Sequence, residues 1–264
     1  MTTSGSFETL DARLDDGVLR VELARPERVN AINRHMCVEI AAVVARATSD
    51  STVRAVLFTG RGRAFCAGAD ISELAAYTTV SEPLDHISLL QRTYNALEEL
   101  EKPTIAAIHG FAYGGGLELA LACDFRVVAR DAKLGVPEIA LGLLPGAGGT
   151  QRLSHALPMA VAKRMILLGE PLGADEALAH GLVTRVVEPE RVREESLALA
   201  RTLCALPPLA LRVGKMLIHG AAQPALRSGI ESERQGMAFL FATEDRKEGT
   251  RAFLEKRKPV FQGR

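Results

Sequence analysis

Two glutamates in this chain stand among apolar residues rather than among other charges. Glu118 lies in Leu117-Glu118-Leu119-Ala120-Leu121, directly after Gly114-Gly115-Gly116. Glu138 lies in Leu134-Gly135-Val136-Pro137-Glu138-Ile139. A carboxylate is costly to bury unless it is paired or put to chemical use. Three glycines before a helix start leave backbone N–H groups open at its positive end, a cradle for developing negative charge. A second loop of small residues, Ala67-Gly68-Ala69, lets a ligand come close to the backbone. Pro137 disfavours helix at the residue before it and implies a fixed turn that presents Glu138. Each feature has a plainer reading by itself: a first-turn glutamate favoured by the helix dipole, an acid on a surface loop, an ordinary strand-to-helix turn. Together they compose an acid–base pair beside an oxyanion hole.

Those residues need a scaffold, and the hydrophobic pattern supplies one. Apolar, largely β-branched runs predict strands at 18–23, 53–58, 104–108, 125–128 and 182–187. Arg25-Pro26 stops the first, and Gly60-Arg61-Gly62 stops the second. Ile32, Met36, Ile40, Val43 and Val44 recur at helical spacing, so an amphipathic helix runs from Asn33 onward. Asp70 and Glu73 read as an N-cap and capping-box pair opening another helix. From Thr150 the pattern turns mostly helical. The chain therefore reads as α/β, with layered strands covered by helices. The expected division is a core at 1–195 and a helical region at 196–264. Met237, Phe239, Leu240 and Phe241 in that region belong either to the core or to a subunit interface.

Composition excludes several classes of function. With 264 residues, 47% of them hydrophobic, the chain can bury about three quarters of its unfolded surface in one large domain or a domain with a helical annex. Lys+Arg and Asp+Glu both number 32, so no global field draws in nucleic acid or an anionic membrane. Cys37, Cys66, Cys123 and Cys204 form no CxxC pair, which points to a reducing, cytoplasmic setting. The first residues carry acids and no apolar signal segment, and the apolar run 103–117 is too short and glycine-rich to span a membrane. No GxxxxGK[ST], GxSxG or HExxH occurs. Gly146-Ala147-Gly148-Gly149-Thr150-Gln151 puts Gln151 where a dinucleotide fingerprint needs its third glycine. The six histidines share no metal-like spacing, and His109 beside an apolar strand reads as a core histidine.

Three longer segments carry a resemblance. AFCAGADISEL (64–74), GFAYGGGLELALACD (110–124) and GVPEIALGLLPGAGGTQRL (135–153) resemble the enoyl-CoA hydratase/isomerase (crotonase) superfamily, its hydratases in particular. Arg25-Pro26, Asn30-Ala31-Ile32-Asn33 and FATEDRKEG (241–249) fit as well, so the likeness spans nearly the whole chain in order. It implies repeated ββα units wound as a short superhelix, followed by trimerising helices that yield a homotrimer or homohexamer. It implies an acyl-CoA thioester ligand, with Ala67 and Gly115 as backbone donors to the thioester oxygen and Gly68, Ala69 and Asp70 completing the contact loop. Glu118 and Glu138 become the catalytic acids, and the implied reaction is reversible syn hydration of a 2-trans-enoyl-CoA in fatty-acid or related degradation. No metal or redox cofactor is required.

Many hydratases of this family carry a lysine where this chain has Ser72, so the grip on the CoA phosphates is open. Arg28, Arg63 and Lys256-Arg257-Lys258 are the basic candidates, although the last also fits a solvated helix end. The segment 75–97, with Tyr77, Leu84, Ile87, Leu89 and Leu90, is expected to border the acyl chain. Isomerisation or thioester hydrolysis on the same scaffold remains an alternative. A non-catalytic CoA- or RNA-binding homologue is disfavoured by the balanced charge and by the presence of both acids.

Overall fold

The first hairpin shows how the chain enters its sheet. β1 (Leu10–Asp15) and β2 (Val18–Leu23) run antiparallel, with Asp15 facing Val18. Asp16 and Gly17 between them both take positive φ, 48° and 80°, the two-residue turn whose twist matches paired strands. Asn33 then caps α1 (Arg34–Ser49) by accepting the Met36 N–H at 2.9 Å, and Met36, Ile40, Val43, Val44 and Ala47 form its buried face. The computed structural model describes residues 7–79 and 81–261.

The remaining strands are β3 (Ala55–Gly60), β4 (Thr104–Ile108), β5 (Phe111–Tyr113), β6 (Phe125–Ala129), β7 (Lys133–Gly135), β8 (Leu172–Gly173) and β9 (Arg185–Val187). The larger sheet runs β1-β2-β3-β4-β6-β9 and is parallel from β2 onward; the smaller runs β5-β7-β8. Helices α2 (Ile71–Ala76), α3 (Ser81–Glu98) and α4 (Gly115–Leu121) alternate with the strands. After them come α5 (Gly149–Ala156), α6 (Met159–Leu167), α7 (Ala174–Ala179), α8 (Val192–Ala205), α9 (Pro208–Phe241) and α10 (Glu244–Leu254).

The ββα repeat is visible in this order. β4 in the large sheet is followed by β5 in the small one and then by α4; β6 and β7 repeat the step and end in the short turn Pro137–Leu141. Residues 66–69 play the part of β5 one repeat earlier, bridging to Ala112 through Cys66 and to Ile32 through Ala69. Every residue of β4 is buried, as expected for a parallel strand covered on both faces. Phe58, Phe65, Tyr94, Ile105 and Ile108 fill the core beneath the site.

Several expectations need correction. The boundary at 195/196 falls inside α8, which packs on β3, β4 and β6. Leu206-Pro207 separates α8 from α9. Residues 53–54 and 182–184 lie outside strands, although Val53, Leu182 and Val183 are buried. Met237 and Phe241 are buried within the subunit, whereas Phe239 is 72% exposed. α9 packs on α3 and α5, and α10 returns against α2 and the 137–141 turn. The last helices therefore wall the edge of the site. Among the described residues no single helix is long and apolar enough to cross a membrane.

Candidate active site

Glu118 sits in the first turn of α4, whose residues are all buried, and is itself 3% exposed. Its Oε1 accepts the N–H groups of Ala147 and Gly149, both at 2.8 Å. These amides belong to the loop entering α5, so the carboxylate faces the positive end of that helix. Burial raises the Glu118 pKa well above the ordinary carboxylate range; Glu138 and Glu233 reinforce that rise, and the two amides oppose it.

Two loops meet beside this carboxylate. A methyl placed on Gly68 would stand 2.9 Å from the Tyr113 carbonyl oxygen, and Gly68 takes φ 102°. Gly114 takes φ 49°, and a methyl there would stand 2.5 Å from Glu138 Oε1. Only glycine satisfies both the conformation and the close approach at these positions. The meeting leaves two backbone donors open. Ile32 N–H bonds the Gly68 carbonyl at 2.7 Å and Asp70 N–H bonds the Ile32 carbonyl at 2.9 Å, so Ala69, between them, turns its own N–H away from that ladder. Gly115, at the first position of α4, has no intrahelical acceptor. Among the described residues neither the Ala69 nor the Gly115 N–H has a hydrogen-bond acceptor. The two are neighbours: the Cβ position of Gly115 lies 3.6 Å from Ala69 N.

Glu138 enters from the 137–141 turn, which starts at Pro137. Its Oε2 is buried with no hydrogen-bond partner among the described residues. Burial pushes its pKa up to about 7, and the nearby Glu233 carboxylate adds to the rise. Glu233, on α9 and 5% exposed, is a third buried acid that the sequence pattern did not single out. It accepts the Gly148 N–H at 2.5 Å and the Thr150 N–H at 2.9 Å, and the Thr150 hydroxyl also donates to it. Burial raises its pKa, while those bonds and Arg152 pull the other way.

An apolar patch adjoins the open donors. Leu74, Ile87, Leu143, Met237 and Phe241 form a cluster separate from the main core, with Ala69, Tyr77 and Leu144 packed against it. Of the 75–97 residues expected near an acyl chain, Tyr77 and Ile87 join this patch; Leu89 and Leu90 belong to the main core.

The comparisons with known proteins accord with this geometry. A family model described as Enoyl-CoA hydratase/isomerase matches residues 13–264. The chain belongs to that family. It is 40% identical over 239 residues to a short-chain-enoyl-CoA hydratase of Clostridium acetobutylicum, covering 90% of this chain and 91% of the relative. It is 37% identical over 257 residues to a crotonyl-CoA hydratase of Syntrophomonas wolfei, covering 97% and 98%. A solved enoyl-CoA hydratase from Mycobacterium avium subsp. paratuberculosis superposes with a TM-score of 0.89 at 31% identity, covering 97% of this chain and 100% of that one.

For a member of the enoyl-CoA hydratase/isomerase family, two of the expected site residues stand differently. Ala67 was expected to offer its N–H, but that group is bonded to the Val29 carbonyl at 3.0 Å. The open donor in this loop is Ala69. Asp70, expected to complete the contact loop beside Ala69, turns its side chain away from it, capping α2 through the Ser72 N–H at 3.2 Å and pairing with Arg25 at 3.0 Å. The expected capping box is also absent, because Glu73 accepts the Arg34 N–H at 2.9 Å. Glu118, Glu138, Gly68 and Gly115 do come together. Among the basic candidates, Arg257 is paired with Glu248 and Glu255, while Arg28 and Arg63 are exposed, the latter 6.0 Å over the Phe111 ring. His109, expected in the core, is only half-buried; its Nε2 lies 2.9 Å from the Gly62 carbonyl oxygen.

Proposed function

We propose that this chain adds water reversibly and syn across a 2-trans-enoyl-CoA, forming the 3-hydroxyacyl-CoA. One observation carries the reading: two enclosed carboxyls, Glu118 and Glu138, flank a pair of neighbouring backbone donors that have no acceptor among the described residues. In this scheme the thioester oxygen lies between the Ala69 and Gly115 N–H groups, which stabilise the negative charge that develops there. Glu118, already supplied with two amide donors, carries the charge. Glu138, whose Oε2 has no donor among the described residues, carries the proton. Glu118 takes a proton from the bound water as its oxygen bonds to C3, and Glu138 delivers its own to C2. One proton is gained and one is lost by the pair, and exchange between them restores the starting state. The apolar patch beside Ala69 suits the acyl chain, and no step calls for a metal or redox group.

The names of the Clostridium and Syntrophomonas relatives make crotonyl-CoA the substrate to assay first. Mixing it with the protein should bleach the enoyl-thioester absorbance and yield 3-hydroxybutyryl-CoA. Release of free CoA would instead indicate thioester hydrolysis. Migration of a 3-enoyl double bond without hydration would indicate an isomerase, and binding without turnover a non-catalytic homologue.

We also infer a homotrimer, alone or paired as a hexamer. Phe239, Phe253, Leu254 and Phe261 are all exposed on the closing helices and tail, apolar side chains that a contact between subunits would cover. Sedimentation at micromolar concentration should give three or six chains, and a stable monomer would contradict the inference. The four cysteines are free thiols, three of them buried, which supports a reducing, cytoplasmic setting.

A further inference from the structure

The loop 146–150 is gripped from two sides. Its amides alternate: Ala147 and Gly149 donate to Glu118, while Gly148 and Thr150 donate to Glu233. Because successive amides point in opposite directions, neither carboxylate can shift without moving the segment that holds the other. Gly148, the N-cap of α5, has no side chain to offer, so Glu233 caps that helix from α9. Further bonds fasten the same segment. Gln91 Nε2 donates to the Gly146 carbonyl at 2.8 Å, and Arg152 donates to the Ala147 carbonyl at 2.9 Å.

We propose that Glu233 is a positioning residue for the acid–base pair, acting from the C-terminal helix through the loop whose amides orient Glu118. The proposal rests on the reading of Glu118 and Glu138 given above. It also gives α9 a part in the chemistry that its surface-like sequence conceals.

The charges around Glu233 define a readout. Glu118 faces it from α4, Glu138 from the 137–141 turn and Arg152 from α5, with Glu98 of α3 behind Arg152. On its own helix Glu231 and Arg234 pair with each other at the surface, and Arg246 of α10 stacks on Phe241. A negative Glu233 holds the proton affinity of both catalytic acids up. Removing that charge must lower it.

The experiment is the pH dependence of crotonyl-CoA hydration by Glu233→Gln, with Glu233→Asp, Glu118→Gln and Glu138→Gln measured in parallel. Glu233→Gln should lower kcat about 10- to 100-fold, the size of loss seen when a residue that orients a metal-binding side chain is removed, taken over to this loop. KM should change little, and both limbs of the pH profile should move to lower pH. Glu233→Asp keeps the charge but shortens the reach, so kcat should fall while the limbs stay in place. Wild-type kcat and an unmoved profile in Glu233→Gln would overturn the proposal. If Glu233→Gln does not fold, wild-type kcat in Glu233→Asp would overturn it equally. Full activity in Glu118→Gln and Glu138→Gln would instead sink the acid–base reading itself, so the two failures are distinct.

Discussion

Replacing either Glu118 or Glu138 by glutamine should lower kcat by about 10²–10⁴, the usual worth of a positioned general acid or base. KM should change little, because Ala69, Gly115 and the apolar patch beside them remain. Residues that act on one water as a unit do not contribute independently, so the double variant should lose far less than the product of the single losses. The pH dependence follows from the same pair. Burial raises the proton affinity of both acids, Glu138 to about 7. The active form holds one proton between them. As pH falls both become protonated and the base is lost; as pH rises both ionise and the acid is lost. kcat/KM should therefore trace a bell, whose two limbs belong to the coupled pair rather than to either residue. Steady-state rates with crotonyl-CoA, read beside melting temperatures, check this. Near-wild-type hydration by Glu138→Gln would remove Glu138 from the reaction and leave Glu118 as its single acid–base group.

Much of this site was legible before any coordinates, and the reason is local. Glu118 and Glu138 stand out because an acid between leucines, or behind a proline in an apolar run, has few ordinary uses. The glycines stand out because close backbone approach leaves no room for a side chain. The choice between Ala67 and Ala69 was not legible, since both are alanines flanking one glycine. It is decided by a single bridge to Ile32, a distant contact that takes the Asp70 N–H and leaves the Ala69 N–H open. Glu233 escaped for the opposite reason. It lies between Glu231 and Arg234, which pair at the surface, and only the turn of the helix carries it inward.

The fold shows the same division between local and distant causes. Thr104–Ile108 appears with its predicted bounds because it is a buried, uninterrupted apolar run. β1 carries the period-2 alternation of a half-buried strand, Leu10, Ala12 and Leu14 against Asp11, Arg13 and Asp15, and a search for uninterrupted apolar runs passes over it. The Asp16-Gly17 turn that follows was the better signal. β5, β7 and β8 are too short for any periodicity and exist through their pairing. The ββα repeat rests on those short strands, which is why the motifs revealed it before the hydrophobic pattern did.

The glycine triplet offers the second large effect, because its three members do different work. At Gly116 an added methyl would stand 2.5 Å from Cys66 Cβ and 3.0 Å from the Cys66 carbonyl oxygen. Gly116→Ala should therefore act as overpacking, which costs about 1–3 kcal/mol, and lower the melting temperature. At Gly114 the methyl would meet both the φ of 49° and the Glu138 carboxyl, so stability and rate should fall together. Gly115 differs from both. Its φ is not in the left-handed region, and the nearest atoms to the new methyl are Ala69 N at 3.6 Å and Glu118 Oε2 at 3.9 Å, ordinary contact distances. Alanine also favours helix over glycine by about 1 kcal/mol. Gly115→Ala should thus fold as well as the wild type or slightly better. In the proposed scheme, however, its methyl takes the space of the thioester oxygen that reaches both backbone donors. The expected loss in kcat is about 10²–10³, comparable to removing one oxyanion donor, with no fall in melting temperature. Loss of rate without loss of stability, in the middle glycine alone, is the signature of a substrate-binding void rather than a packing constraint. Full activity in Gly115→Ala would mean that the oxygen lies elsewhere, and that the Ala69 and Gly115 amides do not form the oxyanion hole.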